Sequence, residues 1–174
     1  QNRIRIYMIF FDADKINFNS INSFNQEFLD LKEGRGKSIK TFASIKETKP
    51  DESYKITEGT WKSLKLHKAR HKAAGRGFGY ALVTDFSKPT NTLSARYAKD
   101  GAEILIEEGW SRPRKITLNE AKNLMGFNNN YAKAYNHPDG FPIICSKAQS
   151  YKQFGNAVVP AIVEDIANLL INYT

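Results

Sequence analysis

Residues 149–160 read Gln-Ser-Tyr-Lys-Gln-Phe-Gly-Asn-Ala-Val-Val-Pro, a polar and aromatic run that narrows to Gly155-Asn156 and opens into the apolar stretch Val158–Leu170. The pattern predicts a loop feeding a helix that begins near Val158. Gly155 permits close backbone approach to a neighbour, and the first amides of such a helix have no intrahelical acceptor. They can therefore hold a polar or anionic group. An ordinary structural joint has the same pattern, so a packing role and a ligand role both stand at this point.

Working outward, residues 3–11 (Arg-Ile-Arg-Ile-Tyr-Met-Ile-Phe-Phe) read as a core strand at the very start of the chain. A buried strand with no preceding partner implies further chain upstream, although a processed terminus gives the same reading. Asp12–Asn25 is rich in Asn and Ser and reads as a surface connection. Gln26–Glu33 reads as a short helix stopped by Gly34-Arg35-Gly36-Lys37, and Lys49-Pro50-Asp51 as a break. Thr57 or Thr60 can cap a helix from about Trp61 to Ala74, ended by Gly75 and Gly77. Phe78–Val83 reads as a strand. Thr92–Ala98 and Ala102–Glu107 read as a hairpin about Lys99-Asp100-Gly101, because Asp-Gly supplies the left-handed residues of such turns. Thr117-Leu118-Asn119-Glu120 is a capping-box pattern starting a helix to about Met125, with Gly126 as its stop. One strand, a mixed and basic middle and two closing helices make an α+β chain without internal repeats.

Charge is the strongest compositional signal. Lys and Arg number 26 against 18 Asp and Glu, a net charge of +8, which favours a polyanionic partner. A single cysteine, Cys145, excludes an internal disulfide and a cysteine-based zinc site, and fits a reducing cytoplasm. No uninterrupted apolar run reaches membrane-spanning length, and no charged-then-apolar signal segment is present.

The cations are concentrated. Between Trp61 and Tyr80 stand Lys62, Lys65, Lys68, Arg70, Lys72 and Arg76, with no acidic residue among them. A solvated helical face accounts for most such runs. The absence of Glu and the approach to Gly75-Arg76-Gly77-Phe78-Gly79 favour a nucleic-acid face instead, since glycines around an arginine allow close approach to a phosphate or groove. Lys68, Arg70, Arg76 and Gly77 are its candidate contacts. His67 and His71, at i and i+4, have the spacing of metal ligands but no Cys or carboxylate beside them, and no metal site is assigned. At the head of the opening strand, Arg3 and Arg5 are two apart and share one face, with Ile4, Ile6 and Met8 on the other. Solvent-facing arginines on a charged edge satisfy that pattern as well as a functional pair does.

The wording of these segments carries a resemblance. Gln149–Val158 is similar to the closing motif Gln-x-Tyr-Lys-Gln-Phe-Gly-Asn-Ser-Val of the DNA cytosine-5 methyltransferases, with Ala157 in place of Ser. The resemblance implies that Gly155, Asn156 and Ala157 help form an S-adenosylmethionine pocket, without a hydroxyl contact at residue 157. Gln1-x-Arg3-x-Arg5 resembles the Gln-x-Arg-x-Arg motif of the same family, whose arginines line the pocket for an extruded base. By that resemblance Arg3 and Arg5 belong to the catalytic site, Arg5 donating to the cytosine ring and Arg3 supporting the site. A guanidinium suits the role because it stays charged and presents a planar fork of donors.

Thr92-Leu93-Ser94-Ala95-Arg96-Tyr97 resembles the recognition segment of bacterial Dcm-like members, which carry a Thr-Leu pair there. This implies DNA contacts from Thr92, Leu93, Ser94 and Arg96, of which Arg reads guanine and Ser or Thr reads less selectively. Arg112-Pro113-Arg114-Lys115-Ile116-Thr117 through Phe127 is similar to a structural joint beneath the family's recognition domain. Leu118-Asn119 and Asn128 depart from that joint's usual prolines and arginine. Cys145 lies in Pro-Ile-Ile-Cys-Ser, not in the Pro-Cys-Gln setting of the family's nucleophile, and reads as a small buried hydrophobe. No Phe-x-Gly-x-Gly, Pro-Cys-Gln or Glu-Asn-Val segment is present.

The resemblance therefore implies the C-terminal, DNA-recognising portion of a cytosine-5 methyltransferase of a restriction-modification system, acting within bacterial cytoplasm on double-stranded DNA. Residues 1–14 would be a strand of a Rossmann-like catalytic domain, 15–147 a small mixed target-recognition domain, and 148–174 the closing motif and a helix returning to the catalytic domain. Its partners would be duplex DNA and the missing N-terminal catalytic portion, with a cofactor pocket only partly supplied here. On its own such a chain is expected to be inactive. A stand-alone sequence-specific DNA-binding module, or the natural second subunit of a split methyltransferase, are the competing readings.

Overall fold

A computed structural model describes residues 3, 5–12, 14–15, 18–36, 41–99, 101–127 and 140–173. The chain divides into two compact units, one of Gln1–Arg3 with Thr41–Ala157, the other of Ile4–Lys40 with Val158–Thr174.

In the larger unit, α2 spans Glu58–Ala73, and Thr57 caps it by accepting from the Thr60 amide. The strands β1 (Leu82–Val83), β2 (Leu105–Ile106) and β3 (Arg114–Lys115) form one sheet in the order β1-β2-β3, the first pair parallel and the second antiparallel. Helix α3 (Leu118–Leu124) starts at the predicted capping box, with Thr117 and Glu120 each satisfying the other's backbone amide. Helix α4 runs from Lys147 to Asn156 and packs on α3. Leu93, Tyr97, Ile104, Leu105, Ile106, Ile116 and Met125 are fully buried and form the core with Tyr151 and Phe154.

Two tyrosines tie that core together through polar atoms that cannot reach water. The Tyr97 hydroxyl donates to the Ile104 carbonyl at 2.6 Å and accepts from the Ile116 amide at 2.8 Å. Tyr151, edge-on to Tyr97, donates to the Ile116 carbonyl. Burial raises the pKa of both hydroxyls, so they remain neutral donors.

In the smaller unit, α1 (Phe18–Gly36) packs against α5 (Pro160–Ile171). Phe24 anchors the contact, with Phe11, Phe28 and Tyr173 around its ring. Residues 5–12 belong to no helix or strand.

Several expectations change. The opening segment has no ladder partner among the described residues, and Ile6, Met8 and Phe10 are exposed, Ile6 by 87%. Its alternation is strand-like, but burial of that apolar face requires another surface. Helix α1 begins eight residues before the predicted Gln26, absorbing much of the supposed connection. The predicted hairpin is absent. β2 has both edges occupied by β1 and β3, so 92–98 has no ladder to join. Asn91 and Ser94 instead bond Glu103, the first to its carbonyl and the second to its carboxylate.

The closing motif changes most. Gly155-Asn156 is the end of helix α4, not a loop before a helix, and α5 begins at Pro160, which has no amide hydrogen to offer. Lys147–Ile171 as a whole is long and apolar enough to cross a membrane by length and composition, which the run-by-run reading did not register. It is divided into α4 and α5 by extended residues 157–159, and Lys152, Glu164 and Asp165 interrupt its apolar character.

Candidate nucleic-acid interface

The 92–96 loop and residues 155–157 meet. Gly155 is packed so closely on the backbone of Ser94 and Ala95 that a Cβ at residue 155 would overlap the Ser94 carbonyl. Its missing side chain is thus explained by contact with the 92–96 loop. Arg3 holds the same junction from the side. Its Nη1 donates to the Leu93 carbonyl at 3.0 Å, and its Nη2 donates to the Gly155 and Ala157 carbonyls, each at 3.0 Å. The last two acceptors lie at the C-terminal end of α4, where unsatisfied carbonyls favour a cation. Arg3 is therefore a positioning residue for this junction.

The loop that Arg3 holds has two faces. The Leu93 side chain is 0% exposed, so its assignment as a groove contact is corrected: it is core. Thr92 and Ser94 are half-buried and Arg96 is exposed. The Ser94 hydroxyl donates to Glu103 Oε1 at 2.5 Å, and the Arg96 amide donates to Ser94 Oγ at 3.2 Å. Glu103 is the residue that sequence reasoning missed; its place in a supposed hairpin strand concealed its bond to the loop.

Of the closing motif, Ala157 has its amide bonded to Gln153 and Phe154 carbonyls and its own carbonyl bonded to Arg3. Gly155 is buried. Asn156 remains exposed, at the end of a helix whose final turn is fixed on both sides. Its carboxamide offers both donors and an acceptor to a polar ligand. Cys145 is half-buried, with its sulfur 3.6 Å from Gln153 Nε2, so it is less buried than the expected core cysteine.

Lys62, Lys65, Lys68, Arg70, Lys72 and Arg76 are all exposed, as is Gly77. Lys68 is the exception in function. Its ammonium donates to the Tyr80 carbonyl at 3.0 Å and lies over the Tyr80 ring, while its stem fills the space beside Gly79. Lys68 thus tethers residues 79–80 to α2, a structural task that competes with a phosphate contact. Trp61 closes the same cluster, 4.7 Å from Tyr80. The His67 and His71 rings lie 4.3 Å apart at a tilt of 55°, and His71 meets Phe78 edge-on. No third His, Cys, Asp or Glu joins them in a metal-holding group among the described residues.

A buried ionic hub lies beneath α3. Arg114, 0% exposed, binds Glu120 through 2.7 and 2.8 Å bonds and Glu108 through 2.8 and 3.0 Å bonds. Lys46 reaches Glu108 at 2.8 Å, and Glu120 also accepts from the Glu47 and Thr117 amides. Burial alone would lower the Arg114 pKa, but the bonds to Glu120 and Glu108 outweigh it and raise it. Burial likewise opposes ionisation of Glu108, and Arg114 and Lys46 outweigh it, holding that carboxyl below its ordinary value. Residues 112–120 are thus held by buried charge pairs.

Comparison with known proteins gives the chain's family. The family model described as C-5 cytosine-specific DNA methylase matches residues 1–172. Type II methyltransferase M.NlaX of Neisseria lactamica is 42% identical over 167 residues, covering 96% of this chain and 46% of that protein. Type II methyltransferase M.SsoII of Shigella sonnei is 38% identical over 172 residues, covering 99% of this chain and 41% of its own length. The DNA-cytosine methyltransferase of Escherichia coli K12 is 38% identical over 149 residues, covering 75% of this chain and 30% of the relative. The chain spans less than half the length of these relatives. With a match along nearly its whole length, the chain belongs to the C-5 cytosine-specific DNA methylase family.

Proposed function

We infer that this chain is the DNA-recognising, C-terminal part of a cytosine-5 methyltransferase of a restriction-modification system, acting on a cytosine flipped from duplex DNA. The observation that carries the reading is the junction of Arg3, Leu93, Gly155 and Ala157, which sets the recognition loop against the closing motif. A target cytosine must leave the stack before its ring carbon can be attacked, so an enzyme of this kind needs base recognition beside its reaction centre.

The exposed Asn156 fits a polar edge of S-adenosylmethionine, with Gly155 and Ala157 fixing its backbone. That cofactor supplies an electrophilic methyl group when bound. The chain's own residues bind and orient. Arg70 and Arg76 neutralise phosphates, Arg96 with Thr92 and Ser94 meets base edges, and Arg5 donates to the extruded ring. The attacking thiolate comes from the remaining portion of the enzyme, because half-buried Cys145 lacks the setting of a nucleophile.

Mixing this chain with a separately made N-terminal portion and assaying methyl transfer to duplex DNA tests the reading. Activity is expected from the pair and from neither part alone. A folded, associated pair that transfers no methyl group would overturn it.

A further inference from the structure

We propose that Arg3 couples DNA recognition to cofactor binding, acting as a clip between the 92–96 loop and residues 155–157. The proposal rests on the methyltransferase reading and deepens it. One guanidinium bridges carbonyls on two separate elements, Leu93 on the loop and Gly155 and Ala157 at the end of α4. The planar fork makes this possible: Nη1 serves one element and Nη2 the other. Gly155 packs against the Ser94–Ala95 backbone, where a Cβ would overlap the Ser94 carbonyl, so loop and helix end meet at backbone distance. On the loop side Ser94 is held by Glu103, and on the helix side Asn156 stands between the two clipped carbonyls. A duplex that repositions Thr92–Arg96 therefore displaces the backbone carrying Asn156, and a ligand on Asn156 restricts the loop. Such a link requires reciprocal effects of DNA and cofactor on each other's affinity.

Two experiments test the clip and the coupling separately. The first uses this chain as it stands, following amide hydrogen exchange at 93–97 and 155–157 in wild type, Arg3→Lys and Arg3→Ala. A lysine ammonium cannot reproduce the fork across two elements, so both segments are expected to exchange faster together, by about tenfold. Acceleration in one segment only, or in neither, overturns the clip. Where circular dichroism shows an Arg3 variant unfolded, Gly155→Ala provides the same test with Arg3 retained. It is expected to loosen both segments, and an unchanged exchange pattern counts against the clip.

The second experiment measures S-adenosylhomocysteine affinity of the full-length enzyme with and without target duplex. DNA is expected to tighten binding by about fivefold or more in wild type, with that ratio approaching one in Arg3→Lys. An equal ratio in wild type and variant overturns the coupling. Failure of the wild-type enzyme to bind either S-adenosylhomocysteine or duplex would overturn the methyltransferase reading itself, while the exchange result still decides the clip.

Discussion

Arg114 and the arginines of the α2 region show two opposite uses of one side chain. Arg114 is fully buried and meets Glu108 and Glu120 through four short bonds. Arg70 and Arg76 are exposed in a stretch without acidic residues. A desolvated guanidinium must have its counter-charges built in, because an unpaired buried charge is severely destabilising. An exposed one retains its hydration and contributes to a field that a polyanion can meet. The chain therefore sets Glu108 and Glu120 around the buried Arg114 and leaves its basic run without acidic residues. Net charge alone conceals this separation.

The largest effect that would break the comparison is expected from Glu120→Ala. It removes two bonds to Arg114 and the capping-box carboxylate, and should cost about 3–5 kcal/mol in urea unfolding of this chain. A loss below about 1 kcal/mol would show that Glu108 alone satisfies Arg114.

Next in size, Arg5→Ala in the full-length enzyme should lower turnover by about a hundredfold with a much smaller loss of duplex affinity. Equal losses in the two measurements would assign Arg5 to the phosphate-contacting class. Replacing Arg70 and Arg76 together by Ala should leave stability within about 0.5 kcal/mol of wild type. The salt dependence of duplex binding should become shallower by roughly 1.8 in logarithmic slope if each neutralises one phosphate. An unchanged slope returns α2 to the role of a solvated face.

The smallest effect concerns pH. Glu108 is held below its ordinary carboxyl pKa of 4.5, so its ionised form stabilises the fold above that value. The contribution disappears as pH falls through the lower folded value. Glu108→Gln should be less stable at neutral pH and lose less stability on acidification below about pH 4.5 in thermal unfolding. Parallel acid curves for variant and wild type would remove Glu108 from the hub's energetics.

Local signals were read well where one short segment contains both partners. Thr57 and the Thr117–Glu120 capping box each bond an amide three residues away; α3 starts where the pattern puts it, whereas α2 starts at Glu58, three residues before the expected Trp61. The hairpin failed because the Asp-Gly turn signal says nothing about which strands already flank residues 105–106. The long α1 escaped detection because Asn and Ser, poor helix formers by themselves, were outweighed by aromatic packing of Phe24 and Phe28 with Tyr173. Among site residues, the arginine and glycine motifs were visible, whereas Glu103 was not. Its partner Ser94 is nine residues away, and no periodicity links them.

By itself the sequence determined the charge imbalance, the Thr117–Glu120 capping box and the family, because each resides in residue identity or in spacing of a few positions. Only tertiary structure decided what Gly155 and Arg3 do. The former faces a loop some sixty residues earlier in the chain, and the latter bonds carbonyls ninety and more residues away. The closing motif consequently became the end of a helix rather than the approach to one. Backbone carbonyls carry no sequence signature, so a side chain that recognises them can be assigned only after the fold has brought them together.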